Sequence, residues 1–229
     1  MSGVLEEICN EKYTLVKNRK AECPVSYLEQ LAEKQTSPRG FLKALKKSLN
    51  SGSFGLISEI KKASPSGGII RQNFNPEELA TAYQVGGATC LSVLTDVPYF
   101  QGNDKHLQLA RAAVDLPVIR KDFMIDSYQI DEARAAGSDA VLLIAECLEP
   151  QVLRDLADQA AAQPGQAHDT FDGNILICHS ADHVVGLLAP LKTLELQPFR
   201  CRQKPRIEDL YPDSLANGWH VPPHGGQEG

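Results

Sequence analysis

The chain has 229 residues, enough for one sizeable domain with a core of its own, and its hydrophobic (42%) and charged (23%) fractions are ordinary for a soluble globular protein. A net charge of −6 leaves no basic surface for nucleic acid, and no run of 18 apolar residues offers a membrane span, so neither partner is expected. With no charged-plus-apolar leader after Met1, the expectation is a soluble, cytoplasmic protein whose six cysteines stay reduced; they form no CxxC pair, which argues against a zinc site.

In chain order, residues 4–19 place Leu5, Ile8, Leu15 and Val16 on a rough apolar stripe and predict a first helix. Two shorter helices are expected at 26–33 and 41–49, the second with Lys43, Lys46 and Lys47 on a solvated face. From Leu56 the pattern changes. Residues 56–60 are an apolar run that reads as a buried strand, and Ser-Pro-Ser-Gly-Gly after it must be a loop. A helix over 76–84 follows, with Asn75 as N-cap, Pro76 in its first position, and Glu77 and Glu78 near the positive end of its dipole.

The strand–loop–helix unit then repeats. Strands are expected at 90–94, 118–120 and 140–144, and helices at 107–114, 128–136 and 149–162. Asp126 and Gln129 are spaced as a capping box, and Gly137 supplies a helix stop. Cys90 and Cys147 read as small core residues. Each strand is a continuous apolar run rather than an alternating one, as a parallel sheet buried on both faces requires. Four such units predict the first half of a (β/α)8 barrel. Beyond Gln163 the regularity fails. Residues 174–178 suit a fifth strand, 184–191 are another apolar segment, and 218–229 are rich in Gly, Pro and His without a helical period. The expected organisation is a helical extension (1–50), four βα units (51–162) and a divergent segment (163–229).

Charge at the strand ends carries the chemistry. Glu59 and Lys61 are two apart, so on a strand both side chains point to one face. An acid and a base at the carboxyl end of a buried strand are costly unless used, and in a parallel barrel that end is where chemistry happens. The plain alternative is a structural ion pair. The strand at 118–120 also ends in charge, Arg120-Lys121-Asp122.

Five segments stand in a telling order: Ser58-Glu-Ile-Lys-Lys-Ala-Ser-Pro-Ser66; Leu91-Ser-Val-Leu-Thr-Asp96 with Phe100-Gln-Gly102; Val118-Ile-Arg-Lys-Asp-Phe123 with Tyr128-Gln-Ile130; Glu132-Ala-Arg-Ala-Ala-Gly137; and Ala140-Val-Leu-Leu-Ile144. In these the chain resembles the indole-3-glycerol-phosphate synthase family over about its first two thirds. The resemblance implies an α/β TIM barrel with an N-terminal helical extension over one mouth. It implies a phosphorylated small-molecule substrate, 1-(2-carboxyphenylamino)-1-deoxyribulose 5-phosphate, closed to an indole with loss of carbon dioxide and water, with no metal and no organic cofactor. It makes Lys121 the general acid, Glu59 the catalytic glutamate, and Lys61 a ligand of the substrate's phosphate or carboxylate. Pro65, Phe100, Phe123 and Leu142 match positions lining the anthranilate pocket. Ser64 and Ser66 sit where hydroxyls or amides can meet an anion.

The second half departs from the family pattern. Ile175-Leu-Ile-Cys-His179 puts Ile177 where the family carries a glutamate, and His179 alone reads as a core or surface residue. Gly186-Leu-Leu-Ala-Pro-Leu-Lys-Thr-Leu194 lacks the asparagines and arginine of strand six. The Ser-Glu-Ser-Gly motif and the Gly-rich phosphate loop of the last strands are absent. The barrel is therefore expected to be incomplete in its second half and its activity impaired; the alternative is a non-catalytic remnant of the enzyme.

Overall fold

The computed structural model describes residues 3–163 and the backbone of Ile175–Cys178. His179 and the segments at 184–191 and 218–229 lie outside the described residues. Helices α1 (Gly3–Glu22), α2 (Val25–Glu33) and α3 (Phe41–Asn50) come first. Strand β1 (Ile57–Ile60) and a small antiparallel hairpin, β2 (Ala63–Ser64) with β3 (Gly68–Ile69), precede α4 (Pro76–Val85). Strand β4 (Cys90–Leu94) leads through the single turn α5 (Val97–Phe100) to α6 (Asp104–Ala113). Then come β5 (Val118–Lys121), α7 (Tyr128–Ala135), β6 (Ala140–Ile144), a 3-10 turn at Ala145–Cys147, α8 (Pro150–Ala161) and β7 (Ile175–Cys178).

Five of the strands form one parallel sheet in the order β1-β4-β5-β6-β7. Sequential strands are thus neighbours, each joined to the next by a helical crossover, as the α/β barrel class requires. The fifth strand expected at 174–178 is present as β7, with Val141 to Ile144 of β6 paired to Ile175 to Cys178. Among the described residues no helix is long and apolar enough to cross a membrane.

Local chemistry explains the helix starts. Asn75 Oδ1 accepts the amides of Glu77 and Glu78 at 3.1 and 3.3 Å, and Pro76 opens α4 where no amide is needed. Ahead of α7, Asp126 Oδ1 accepts the Tyr128 amide while Gln129 Oε1 accepts the Asp126 amide (2.9 and 3.2 Å). Only half of the expected capping box forms, since the Gln129 amide goes to the Asp126 carbonyl rather than its side chain, and the N-cap itself is Ser127, whose side chain caps nothing. Gly137 ends α7 with φ +87°, a value glycine adopts without strain.

The hairpin β2–β3 and the turn α5 were not expected, because two- and four-residue elements are too short to show a period. Each is set by one side chain: Ser64 Oγ accepts the Gly67 amide at 3.1 Å, and Asp96 Oδ2 accepts the Tyr99 amide at 2.9 Å. The stripe of α1 also differs from expectation. Its buried residues are Leu5, Ile8, Cys9, Lys12 and Val16, while Leu15 is only half-buried.

The sheet has two apolar faces. One packs Ile60, Leu91, Val93 and Val118 against Ala80 of α4 and Leu107 and Ala110 of α6. Val141 and Leu143 on that side meet Ile130 and Ala133 of α7 and Leu156, Ala157 and Ala160 of α8. The other face gathers Cys90, Ile119, Ala140, Leu142 and Ile144 in one cluster with Leu5, Ile8 and Cys9 of α1 and Phe41 and Leu45 of α3. Cys147 belongs to the same cluster, so both cysteines assigned to the core are there. Every residue of β4 and β6 is buried, which is the continuous apolar run seen in the sequence. Lys43, Lys46 and Lys47 are exposed on the outer side of α3.

The segment between α2 and α3 grips the amino ends of the strands. Arg39 donates from one terminal nitrogen to the Val114 and Leu116 carbonyls (2.7 and 2.9 Å) and from the other to the Arg111 carbonyl (3.0 Å). Its amide donates to Asp139 Oδ1 at 3.0 Å. Asp139 in turn pairs with Arg111 at 2.9 Å and accepts the Val118 amide at 2.8 Å.

Candidate active site

Three charged side chains meet at the carboxyl ends of the strands. Glu59 is the third residue of β1, and Lys61 follows the strand's last residue on the same face. Lys61 Nζ donates to Glu59 Oε1 at 2.6 Å. Lys121 ends β5, two strands across the sheet, and its Nζ lies 4.0 Å from Glu59 Oε2. One carboxylate therefore sits between two ammonium groups. Tyr83 of α4 donates its hydroxyl to the Glu59 carbonyl at 3.1 Å and holds the strand end in place.

The side chains of Glu59 and Lys61 are each 33% exposed and that of Lys121 19%, so water reaches the cluster. A pair so exposed contributes no more than about 1 kcal/mol to stability. What the arrangement offers is donors and an acceptor within reach of one small volume, able to bind negative charge and to move a proton.

An apolar wall stands beside it. Phe100, at the end of α5, and Phe123, just past β5, lie with ring centroids 6.4 Å apart and planes tilted by 37°. Phe123 and Leu142 share the inner apolar cluster, and Phe100 packs against it. Phe100 is half-buried, whereas Leu142 is wholly covered. Ser64 lies on β2, its hydroxyl oxygen engaged by the Gly67 amide. Pro65 and Ser66 are exposed in the turn of the hairpin. The structure thus brings Glu59, Lys61 and Lys121 into one charged group and Phe100, Phe123 and Leu142 into one apolar group.

A second set of charges lies beneath these loops, and the sequence reading missed it. Lys12 of α1 is only 3% exposed, yet its Nζ donates to Asp96 Oδ1 at 2.6 Å and to Asp122 Oδ1 at 2.7 Å. Asp122 Oδ2 accepts the Thr95 hydroxyl at 2.7 Å, and Thr95 Oγ1 accepts from Arg120 Nε at 3.2 Å. Arg120 is fully buried between Asp104, Asp122 and Glu132 at 3.1 to 3.5 Å. Burial works against its charge, but the three carboxylates outweigh it and raise the guanidinium above its ordinary value.

Burial alone would raise Asp122 as well. Arg120 and Lys12, with the hydrogen bonds from Lys12 and Thr95, overcome it and hold this carboxyl below the usual carboxylate range. Glu132 goes the other way, because its burial outweighs Arg120 and Arg19 and raises it. The signal that could have found Lys12 is its position. It falls three and four residues from Cys9, Ile8 and Val16, on the apolar stripe itself, where a charge must have a buried partner.

A family model described as indole-3-glycerol phosphate synthase matches residues 5–164. The chain is 54% identical to the indole-3-glycerol phosphate synthase of Azospirillum brasilense over 162 residues, 71% of this chain and 62% of that protein. To the protein of the same name from Rhodospirillum rubrum it is 52% identical over 211 residues, 92% of this chain and 77% of the relative. A third relative of that name, from Rhizorhabdus wittichii, is 50% identical over 165 residues, 72% of this chain and 62% of its own length. The match to the Azospirillum and Rhizorhabdus proteins thus spans less than two thirds of each.

Proposed function

The chain belongs to the indole-3-glycerol phosphate synthase family, and from that premise we propose that it closes the indole ring of 1-(2-carboxyphenylamino)-1-deoxyribulose 5-phosphate. The single observation that carries the reading is the Glu59–Lys61–Lys121 group beside the Phe100–Phe123 wall. The family relationship suggests which reaction to ask of it, and the placement of these side chains supports that reading.

In this reading the aryl ring of the substrate lies against Phe100 and Phe123, with Leu142 beneath. Its carboxylate or phosphate takes the place of Glu59 at Lys61. Lys121 gives its proton to the ketone oxygen as the ring carbon attacks. Carbon dioxide then leaves from that ring carbon, which restores the electron pair to the ring. Water leaves last, with Glu59 and Lys121 as the acid–base pair nearest to hand. Proton transfer by positioned groups is worth about 10²–10⁴ in rate. The substrate is a small phosphorylated molecule, and the reaction as written consumes no metal or organic cofactor.

A second reading, a non-catalytic remnant, is favoured by one observation. The fifth strand, β7, carries Ile177 where the family has its glutamate, so one acid–base group of the family is replaced by an alkyl chain. Turnover separates the two. Indole-glycerol-phosphate formation is followed by fluorescence with the purified chain and with Lys121→Ala. Turnover that Lys121→Ala abolishes supports the enzyme. A folded chain without turnover leaves the remnant.

A further inference from the structure

We propose that Lys12 is a positioning residue for this site: one buried ammonium on the N-terminal helix α1 ties together the segments that follow β4 and β5, which carry the site's aromatic wall, the second of them directly after its acid, Lys121. The proposal rests on the reading of Glu59, Lys61 and Lys121 as the reacting group. It goes beyond it by giving a residue of the helical extension, with no place among those groups, control over their geometry.

The two carboxylates that Lys12 holds are not ordinary surface partners. Asp96 immediately follows Thr95 at the end of the β4 segment and caps α5 through the Tyr99 amide at 2.9 Å, so its orientation sets where Phe100 lies. Asp122 follows Lys121 directly, and its Oδ1, besides accepting from Lys12, accepts the Phe123 amide at 2.8 Å. The Asp96 side sets Phe100. The Asp122 side sets Lys121 and Phe123. Lys12 Nζ reaches both, at 2.6 and 2.7 Å, and is the bridge across 84 and 110 residues of sequence.

Removing it would leave two carboxylates side by side, both about 1% exposed, with Asp96 deprived of its ion-pair partner. Buried like charges do not stay together without a cation. Unless a shared proton holds the two carboxylates together, their segments separate or admit water, and either change moves Phe100 relative to Phe123. Arg120, on the far side of Asp122 at 3.5 Å, steadies Asp122 alone and offers no bond to Asp96.

The control is Val16→Ala. Val16 is buried one turn further along α1 against Leu28, Tyr128 and Ala135. It weakens the docking of the helix without touching either aspartate. The test compares the full chain, Lys12→Met and Val16→Ala by amide hydrogen exchange and by steady-state kinetics. Exchange at Tyr99 and Phe123 is expected to quicken at least tenfold in Lys12→Met. The Val118 amide, held by Asp139 at the opposite end of the sheet, is expected to keep its rate once both variants are matched for global stability. In turnover, Lys12→Met is expected to lose about 10- to 100-fold in kcat with a rise in KM, as a misplaced constellation does. Val16→Ala is expected to keep both near wild type, and Lys12→Arg to recover part of the loss.

Equal changes in Lys12→Met and Val16→Ala, in exchange and in kinetics alike, would overturn the proposal and make Lys12 a simple anchor. Should the wild-type chain show no turnover, the reading of its function fails, while the exchange comparison still decides the role of Lys12. Local quickening at Tyr99 and Phe123 would uphold the bridge, and uniform quickening would sink it.

Discussion

The two ends of one parallel sheet use the same residue types to opposite ends. At the amino ends, Arg111 and Asp139 are buried and paired at 2.9 Å, Asp139 also takes backbone amides from Arg39 and Val118, and Arg39 spends its fork on three carbonyls. Donors and acceptors there are matched largely against backbone groups. At the carboxyl ends, Glu59, Lys61 and Lys121 are partly open to water, and two cations share one carboxylate. The first arrangement is closed and has nothing to offer a ligand. The second holds charge in reserve. Stability concentrated at one end of a barrel and chemistry at the other is the general division of labour of this architecture, and the proposed site lies among the partly exposed charges.

The sharpest way to break the comparison is to cut one charge at each end. Lys121→Ala should lower kcat/KM by about 10²–10⁴, the usual worth of a positioned acid, while the melting temperature moves by no more than a few degrees. Asp139→Ala should do the reverse. It leaves Arg111 without its carboxylate and the Val118 and Arg39 amides without an acceptor, at a cost of about 3–5 kcal/mol, the range for breaking a buried pair. Activity per folded molecule should stay near wild type. Parallel kinetics and urea unfolding on both variants would check this. If Asp139→Ala lost turnover in proportion while folded, the two ends would not be separable.

Gly102 tests the joint between scaffold and site. A Cβ there would lie 2.5 Å from the Leu94 carbonyl oxygen and 2.8 Å from that of Asp96, both backbone. No side chain can swing aside, so Gly102→Ala must push the α5 turn and Phe100 away from β4. Overpacking of this kind costs about 1–3 kcal/mol. The expected result is a modest fall in stability with a larger rise in KM, since in the proposed function Phe100 holds the aryl ring and takes no part in proton transfer. A rise in KM no greater than that of a distant core variant of equal stability would remove Phe100 from the site.

How much of this was legible in the sequence follows the same division. Buried strands announce themselves as unbroken apolar runs, so β4, β5 and β6 and the helices between them fall within a few residues of the expected spans. The charged strand ends stood out because Glu59 and Lys121 interrupt such runs. The floor did not. Arg39 lies in a segment with no period, and its partners are backbone carbonyls 72 to 77 residues away, which no local pattern encodes. Lys12 is the intermediate case. Its place on the α1 stripe was visible, but its two aspartates come from other elements, and only the fold brings them to one nitrogen.

The smallest expected effect concerns acid. Asp122 is held below its ordinary 3.8: burial opposes its charge, and Arg120, Lys12 and their hydrogen bonds override that opposition. A carboxyl with a depressed folded-state value contributes stability that is present above its unfolded value and lost as pH falls through the folded one. Its window therefore opens below about pH 4. Glu132, raised above its ordinary 4.5 chiefly by burial, has the opposite sign, and its share of stability declines as pH rises through the folded value. The two windows lie on either side of about pH 4, so they can be told apart. Urea midpoints measured from pH 2 to pH 7 should show wild type losing stability steeply at the acid end. Asp122→Asn should start from a lower plateau, since Lys12 and Arg120 lose an anion, and should fall less steeply, by up to one proton or about 1.4 kcal/mol per pH unit. Glu132→Gln should leave the acid limb in place and flatten the decline above it. An unchanged acid limb in Asp122→Asn would mean that the acid-labile charge lies elsewhere than beneath the mouth, and the contrast between the two ends would then rest on exposure alone.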